Sequence, residues 1–90
     1  MKKQRRIHLI GIGGSGMTAL ANLLISKREK ITGSDAKEST NTKLLRKKGV
    51  KIFIGHRKSN LKGIKTVIVS SAIPKDNIEL KEVKRKKLEI

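Results

Sequence analysis

A cluster of glycines follows the first apolar run of the chain and constrains the fold more than any other feature. The stretch "HLIGIGGSGMTALANLL" (residues 8–24) contains four glycines within six positions: Gly11, Gly13, Gly14 and Gly16. Glycine loses the most conformational freedom on folding, so this cluster needs a structural or ligand-binding reason. Apolar residues run through 7–12 before it and recur at helical spacing from 15 to about 27 after it. The stretch therefore predicts a strand, a tight turn and a helix.

The rest of the chain alternates between strand and helix patterns. Further strands are predicted at 30–35, 50–54 and 66–69, with "LEI" (88–90) as the beginning of a fifth. Helices are predicted at 39–49, capped by Ser39, Thr40 or Asn41, and at 76–88, capped by Asp76 or Asn77. This alternation implies parallel pairing through right-handed crossovers. The predicted fold is α/β: a Rossmann-like, doubly wound parallel sheet of about five strands with helices on both faces.

The glycines match a phosphate-binding pattern. Gly11, Gly13 and Gly16 satisfy G-x-G-x-x-G between a predicted strand and a predicted helix. In that pattern the first glycine permits the turn, the second lets backbone approach a pyrophosphate, and the third lets helix pack close to strand. The helix N-terminus adds free N–H groups and partial positive charge, and Ser15 is placed to cap the helix or donate to phosphate. We therefore expect a diphosphate here; the alternative is a turn that serves packing alone.

An acid follows at the end of the second predicted strand. "TGSD" places Asp35 about 20 residues after the glycines, where such folds hold an acceptor for ribose hydroxyls. Its alternative role is that of a turn or cap residue. Glycines and acid together indicate a nucleoside diphosphate, and they fit NAD as well as a UDP-sugar.

Loops after the other strands reach the same edge of the sheet. His56 follows the third predicted strand and "SSAIP" (70–74) follows the fourth, so both are candidates for contacts with the ligand. His8, inside the first strand, is expected to be structural. We find no pattern of nucleophile, base and acid, no paired carboxylates and no metal-ligand spacing. The domain is expected to bind a ligand without catalysing a reaction itself.

Composition bounds the remaining possibilities. Lys and Arg number 23 against 7 Asp and Glu, which gives a formal net charge of +16 and keeps a small nucleic-acid-binding protein as a second alternative. The basic residues are spread over every segment and Phe53 is the only aromatic residue, so a stacking platform for single strands is excluded. The chain has no cysteine, no apolar run long enough to span a membrane and no signal-peptide core, which favours a cytoplasmic location.

Several stretches together resemble one family. "IHLIGIGGSGMTALANLL", "ITGSDAKESTNTKLLRKKGVKIFIGH" and "VIVSSAIPKDNIEL" are similar, in order and spacing, to the N-terminal domain of the Mur ligases. The resemblance covers about residues 6 to 90, and residues 1–90 are interpreted as that UDP-sugar-binding domain. The phosphate-binding loop for ATP, the metal ligands and the amino-acid pocket of the family have no counterpart here. The chain is therefore expected to be a fragment that is inactive as a ligase.

The resemblance implies a substrate and site residues. The substrate is UDP-N-acetylmuramate, to which the full enzyme adds L-alanine with ATP and Mg²⁺; a family member that recycles murein tripeptide shares parts of the pattern. The pyrophosphate is expected at Gly11, Gly13, Gly14, Ser15, Gly16 and Met17. Ser34 and Asp35 are expected to face the uridine ribose, and His56 the uracil. The path toward the phosphates and sugar is expected to be lined by Ser70, Ser71, Ala72 and Ile73.

Overall fold

Four parallel strands alternate with helices in a computed structural model that describes residues 6–90. The strands are β1 (Arg6–Ile10), β2 (Lys30–Asp35), β3 (Lys51–Ile54) and β4 (Thr66–Val69). The helices are α1 (Ser15–Ser26), α2 (Thr40–Lys47) and α3 (Ile78–Lys86), with a short 3-10 helix at Lys58–Leu61 between β3 and β4. None of the helices in 6–90 is long and apolar enough to cross a membrane. The basic residues Lys2, Lys3 and Arg5 lie outside the described part.

The strand order places a crevice between β1 and β4. All neighbours in the sheet are parallel, in the order β3-β2-β1-β4. The chain adds β2 and β3 on one side of β1 and then crosses back to add β4 on the other side. Ligands of doubly wound sheets bind at such a reversal, outside the carboxyl ends of the strands. In this chain that position lies where the glycine turn leaves β1.

Alternation along the strands divides the core between the two faces of the sheet. Ile7 and Leu9 of β1 pack with α1 and α2 on one face, in a cluster that includes Met17, Ala21 and Leu45. The other face packs against α3 and the 3-10 helix through a smaller cluster: Ile10, Leu61, Ile64, Val67 and Val83. Helices therefore cover both faces, which confirms the predicted doubly wound architecture.

Short-range hydrogen bonds explain where the helices begin. The Ser39 hydroxyl accepts from the N–H of Thr42, and the Thr42 side chain accepts from the N–H of Ser39, which is a reciprocal capping box at the start of α2. The Asn77 side chain accepts from the N–H groups of Glu79 and Leu80 at the start of α3. Ser39 and Asn77 were both among the predicted caps.

The predicted fifth strand is present only as its first contact. Glu89 forms an isolated parallel bridge with Thr66 at the free edge of β4, and the N–H of Val67 donates to the Glu89 carbonyl at 2.8 Å. Four strands therefore form the sheet within 6–90, and residues 88–90 lie where a fifth would pair.

Candidate functional site

A cleft of about 310 Å³ lies at the carboxyl ends of the strands. It brings together the glycine turn, the end of β2 and the loop after β4. Its lining residues are Gly11, Gly13, Gly14, Asp35, Lys37, Ser39, Ser70, Ala72 and Ile73. Seven of these were predicted site residues, and they come from three separate segments: Gly11, Gly13 and Gly14; Asp35; and Ser70, Ala72 and Ile73. The structure thus places those segments around one opening.

Backbone hydrogen bonds hold the glycine turn against β2. The carbonyl of Ser34 accepts from the N–H of Gly11 at 2.8 Å and from the N–H of Ile12 at 3.0 Å. The N–H of Gly14 donates back to the carbonyl of Gly11 at 3.2 Å. The Thr18 hydroxyl donates to the Ile12 carbonyl at 3.1 Å and ties the turn to the first turn of α1. The turn is therefore built into the fold rather than left as a free loop.

The first two glycines of the motif are required by close contacts. Gly11 has a φ of +84°, and a Cβ there would lie 2.9 Å from the Ser70 Cβ. At Gly13 a Cβ would lie 2.8 Å from Asp35 Oδ2 and 3.1 Å from the Thr42 methyl. Both positions therefore need glycine because of protein atoms on either side of the cleft, before any ligand is considered.

The third glycine does not have the packing role that the motif predicts. A Cβ at Gly16 would meet nothing within 4 Å, so the close approach of helix to strand does not depend on this residue. The close approach occurs at Gly33 in β2, where a Cβ would lie 2.4 Å from Ile12 Cδ1. The expectation for Gly16 was wrong in this respect, since it assigned to the motif a contact that Gly33 makes.

The N-terminus of α1 presents free donors beside the cleft. Gly14 is the N-cap and Ser15 is the first helical residue, so of the two roles offered for Ser15, capping the helix and donating to phosphate, the structure excludes the first. Among the described residues, the backbone N–H groups of Ser15, Gly16 and Met17 have no protein acceptor. The first turn of α1 carries no acidic residue. Donors and the positive end of the helix dipole together form an anion-binding arrangement.

Met17 contributes only its backbone to this arrangement. Its side chain is 8% exposed and packs in the core with Ala21 and Leu45. Its N–H belongs to the free first turn of α1, so any contact with a phosphate would come from the main chain.

Asp35 holds the glycine turn as well as lining the cleft. Its Oδ2 accepts from the N–H of Gly13 at 2.9 Å, and its Oδ1 accepts from the N–H of Lys37 at 3.4 Å. Asn41 donates to the carbonyl of Gly13 at 3.0 Å, from the first turn of α2. The carboxylate therefore has a structural partner in the turn and remains on the wall of the cleft.

The loop after β4 supplies the opposite wall. The Ser70 N–H donates to the Ile10 carbonyl at 3.0 Å, and the Ser70 hydroxyl accepts from the N–H of Ala72 at 3.2 Å. Ser70, Ala72 and Ile73 line the cleft, whereas Ser71 is exposed and does not. Lys37 and Ser39 also line it and were not predicted, although both follow the carboxyl end of β2 as the other candidates follow their strands.

Ser34 and His56 meet at a buried carboxylate that sequence analysis missed. Glu79, in the first turn of α3, is fully buried: its Oε1 accepts from His8 Nε2 at 2.7 Å and from the Ser34 hydroxyl at 2.8 Å. Its Oε2 accepts from Asn60 Nδ2 at 2.9 Å, from the Arg57 N–H at 3.0 Å and from His56 Nδ1 at 3.1 Å. Nothing in the sequence distinguishes Glu79 from any acid that begins a helix.

The position of Ser34 differs from the one that the resemblance implies. Its side chain is fully buried and bonded to Glu79, so the hydroxyl does not face the cleft. His8 has the structural role expected of it, since Thr32 and Glu79 contact its two ring nitrogens at 2.7 Å. The backbone carbonyl of Ser34 instead stabilises the glycine turn by accepting hydrogen bonds from the N–H groups of Gly11 and Ile12.

The charge of Glu79 is stabilised inside the protein. Burial acts to raise the pKa of this carboxyl, but hydrogen bonds from His8, Asn60 and Ser34 outweigh it and lower the pKa to about 2. The group is therefore an ionised carboxylate at neutral pH and can only accept hydrogen bonds.

A second and larger cleft lies at the opposite edge of the sheet. It measures about 760 Å³, and Arg6, Lys30 and Lys51, at the amino ends of three strands, are among its lining residues. It contains none of the predicted site residues. Because it lies opposite the carboxyl edge, it is the alternative position against which ligand binding at the smaller cleft can be tested.

Comparison with known proteins assigns the family. The model of the Mur ligase family, catalytic domain, matches residues 6–90. The UDP-N-acetylmuramate–L-alanine ligase of Aquifex aeolicus is 46% identical over 86 residues, which are 96% of this chain and 19% of the relative. The same ligase of a Sulfurihydrogenibium species is 51% identical over 83 residues, which are 92% of this chain and 18% of the relative.

A solved structure agrees with the sequence relatives. The crystal structure of the UDP-N-acetylmuramate–alanine ligase MurC from Thermotoga maritima superposes with a TM-score of 0.89 at 35% identity, and the match covers 94% of this chain and 20% of that one. The chain thus spans about a fifth of the length of these relatives. The glycine turn, the parallel sheet and the matched sequence lead to one conclusion: this chain belongs to the Mur ligase family.

Proposed function

We propose that this chain is the UDP-N-acetylmuramate-binding domain of an ATP-dependent ligase that adds L-alanine to that nucleotide sugar in peptidoglycan synthesis. One observation carries the proposal: the glycine turn and the unpartnered N–H groups of α1 lie beside a cleft at the point where the sheet reverses its strand order. The names of the relatives supply the substrate and the reaction.

We place the diphosphate at the start of α1. The N–H groups of Ser15, Gly16 and Met17 point toward the helix N-terminus, where Gly14 lines the cleft. Lys37 on the cleft wall adds a positive charge beside the glycine turn. A pyrophosphate there would receive main-chain hydrogen bonds and charge stabilisation together.

We place the nucleoside toward β2 and β3. Asp35 lies on the wall of the cleft and can accept from ribose hydroxyls with the lone pairs that Gly13 and Lys37 leave free. His56 follows β3 at the same edge, where the N–H of Gly55 donates to the Asp35 carbonyl at 2.8 Å. The sugar would then lie on the β4 side of the cleft, along Ser70, Ala72 and Ile73.

The alternatives that the sequence left open are not favoured. A nicotinamide dinucleotide would use the same turn and the same acid, but the relatives are ligases of a UDP-sugar. Nucleic-acid binding rested on net charge alone, and the fold and family give it no further support.

Chemistry with ATP and Mg²⁺ is not assigned to this chain. Within residues 6–90 no group of three or more His, Asp or Glu side chains is arranged to hold a metal ion, so these residues do not fit one. We assign to this chain the binding and orientation of the nucleotide sugar, in the cytoplasm, and leave ATP, Mg²⁺ and L-alanine to the full enzyme.

Calorimetric titration with UDP-N-acetylmuramate and with NADH, in parallel and at the same ionic strength, tests the proposal. We expect saturable binding of the UDP-sugar and weaker binding of NADH. Tighter binding of NADH would reverse the assignment. Binding of both that disappears at high salt would instead indicate a general attraction of anions to a basic chain.

A further inference from the structure

The buried carboxylate of Glu79 connects three parts of the site that are distant in sequence. Its oxygens contact His8 of β1, Ser34 of β2 and His56 after β3, with Asn60 and the Arg57 N–H completing the shell. Every buried side-chain nitrogen or oxygen in 6–90 has a hydrogen-bond partner. The arrangement is therefore a complete polar network, and a complete network holds its members in one orientation.

The network determines which nitrogen of His56 carries the proton. His56 Nδ1 lies 3.1 Å from Glu79 Oε2 and 3.0 Å from the Ser34 hydroxyl, whose own proton goes to Glu79 Oε1. An ionised carboxylate only accepts, so Nδ1 must donate. The neutral imidazole then has its lone pair on Nε2.

The Nε2 atom of His56 faces outward. It has no hydrogen-bond partner among the described residues, and since no buried side-chain nitrogen there lacks a partner, Nε2 reaches solvent. The ring is 14% exposed and sits at the carboxyl edge of the sheet. His56 therefore presents a single acceptor of fixed direction.

We propose that Glu79 is a positioning residue that holds His56 with Nδ1–H inward, so that Nε2 accepts a hydrogen bond from the N3–H of a uracil base. This rests on the proposed function, because it assigns His56 to the base of the bound nucleotide. Uracil offers a donor at N3, whereas cytosine offers an acceptor there. Two acceptors facing each other leave one unpaired, so the orientation of His56 selects uridine over cytidine nucleotides.

Nitrogen-15 NMR of the histidine rings tests the positioning without any ligand. In the wild-type chain we expect the neutral His56 ring to be the Nδ1–H tautomer. In Glu79→Gln the amide replaces one acceptor oxygen by a donor, and the Ser34 hydroxyl becomes free to donate to His56 Nδ1, so we expect mixed tautomers. Thr32→Val is the matched control, since it removes only the contact to His8 at the far end of the network.

Titration with UDP and CDP tests the consequence. The wild type is expected to bind UDP about tenfold tighter than CDP, as for one hydrogen bond made or left unpaired. His56→Ala is expected to remove most of this preference for UDP. Because His56 is partly exposed, this variant tests the selection even if a Glu79 variant does not fold. Thr32→Val is expected to keep it.

Each outcome decides the inference. An Nε2–H tautomer in the wild type, or an unchanged tautomer in a folded Glu79→Gln chain, overturns the positioning role. Equal affinity for UDP and CDP overturns the selection by His56. If UDP does not bind while the tautomer follows Glu79, the positioning holds, and both the selection and the proposed function fail.

Discussion

The Asp35 carboxylate accepts a hydrogen bond from the backbone N–H of Gly13 at 2.9 Å. The acid expected to bind the ribose is thus also a clamp on the turn expected to bind the diphosphate. The contact is close enough that any side chain at position 13 would collide with it. The residues proposed to bind the nucleoside and the phosphates are therefore linked by a direct hydrogen bond.

Two substitutions at position 35 separate the clamp from the charge. Asp35→Asn keeps an oxygen for the Gly13 N–H and for a ribose hydroxyl, whereas Asp35→Ala removes both. We expect Asp35→Ala to lower the free energy of unfolding by about 1–3 kcal/mol and Asp35→Asn to lower it less. Affinity for UDP-N-acetylmuramate should also fall more in Asp35→Ala than in Asp35→Asn. Denaturation measures the free energy of unfolding, and calorimetric titration measures the affinity. Equal, wild-type affinity in both variants would show that Asp35 does not contact the ligand.

Gly16 allows a test that leaves the fold intact. A methyl group there meets no protein atom within 4 Å, and alanine is the better helix former, so Gly16→Ala should raise the free energy of unfolding by up to about 1 kcal/mol. If a phosphate lies against the first turn of α1, the same methyl should weaken binding of UDP-N-acetylmuramate by about tenfold, or about 1.4 kcal/mol. A more stable variant with unchanged affinity would mean that the phosphate does not approach Gly16.

Gly33 should show the opposite behaviour. A Cβ at this position would lie 2.4 to 2.8 Å from three atoms of Ile12, so Gly33→Ala forces the glycine turn away from β2. We expect a loss of about 1–3 kcal/mol in the free energy of unfolding, as for overpacked cores. Thermal denaturation of Gly33→Ala, Gly16→Ala and the wild type measures the difference. A Gly33→Ala chain as stable as the wild type would contradict the described packing of Ile12.

The stability of the chain should depend on Glu79 in acid. Its pKa in the folded protein is about 2, below the ordinary value of 4.5, so its stabilising contribution is present above pH 4.5 and is lost as the pH falls toward 2. The difference corresponds to about 3 kcal/mol. Urea denaturation at several pH values between 6 and 2 measures it. Asp76→Asn, at an exposed position near the start of α3, is the control.

Glu79→Gln should flatten this part of the pH profile, and Asp76→Asn should not. A wild-type profile that does not change between pH 5 and 2 would show that the Glu79 carboxylate has no preferred partners in the folded state.

The fold was predictable because its signals are local. Apolar periodicity and the cap at Ser39 each depend on neighbours in sequence, and they predicted how strands and helices alternate along the chain. The resemblance to the Mur ligases was equally open to sequence, since the glycine turn, "GSD" and "SSAIP" occur at family intervals. The comparisons confirm that prediction.

The features that sequence analysis missed depend on contacts between residues that are distant in sequence. Glu79 is separated from His8 by 71 positions, and only the packing of α3 under the sheet brings the two together. The same packing buries the Ser34 hydroxyl, which the resemblance to the Mur ligases implied would face the ribose. The role expected of Gly16 belongs to Gly33 for a similar reason, because the closest approach of the turn to the sheet is set by Ile12.

A nucleoside diphosphate is proposed to bind at the start of α1, at the carboxyl edge of the sheet. Titration of nitrogen-15-labelled protein with UDP-N-acetylmuramate, followed by backbone amide NMR, tests it most directly. We expect the largest shifts at the amides of Gly14, Ser15, Gly16 and Met17. Largest shifts at the amino edge instead, around Lys30, Lys51 and Gly63 in the larger cleft, would contradict it.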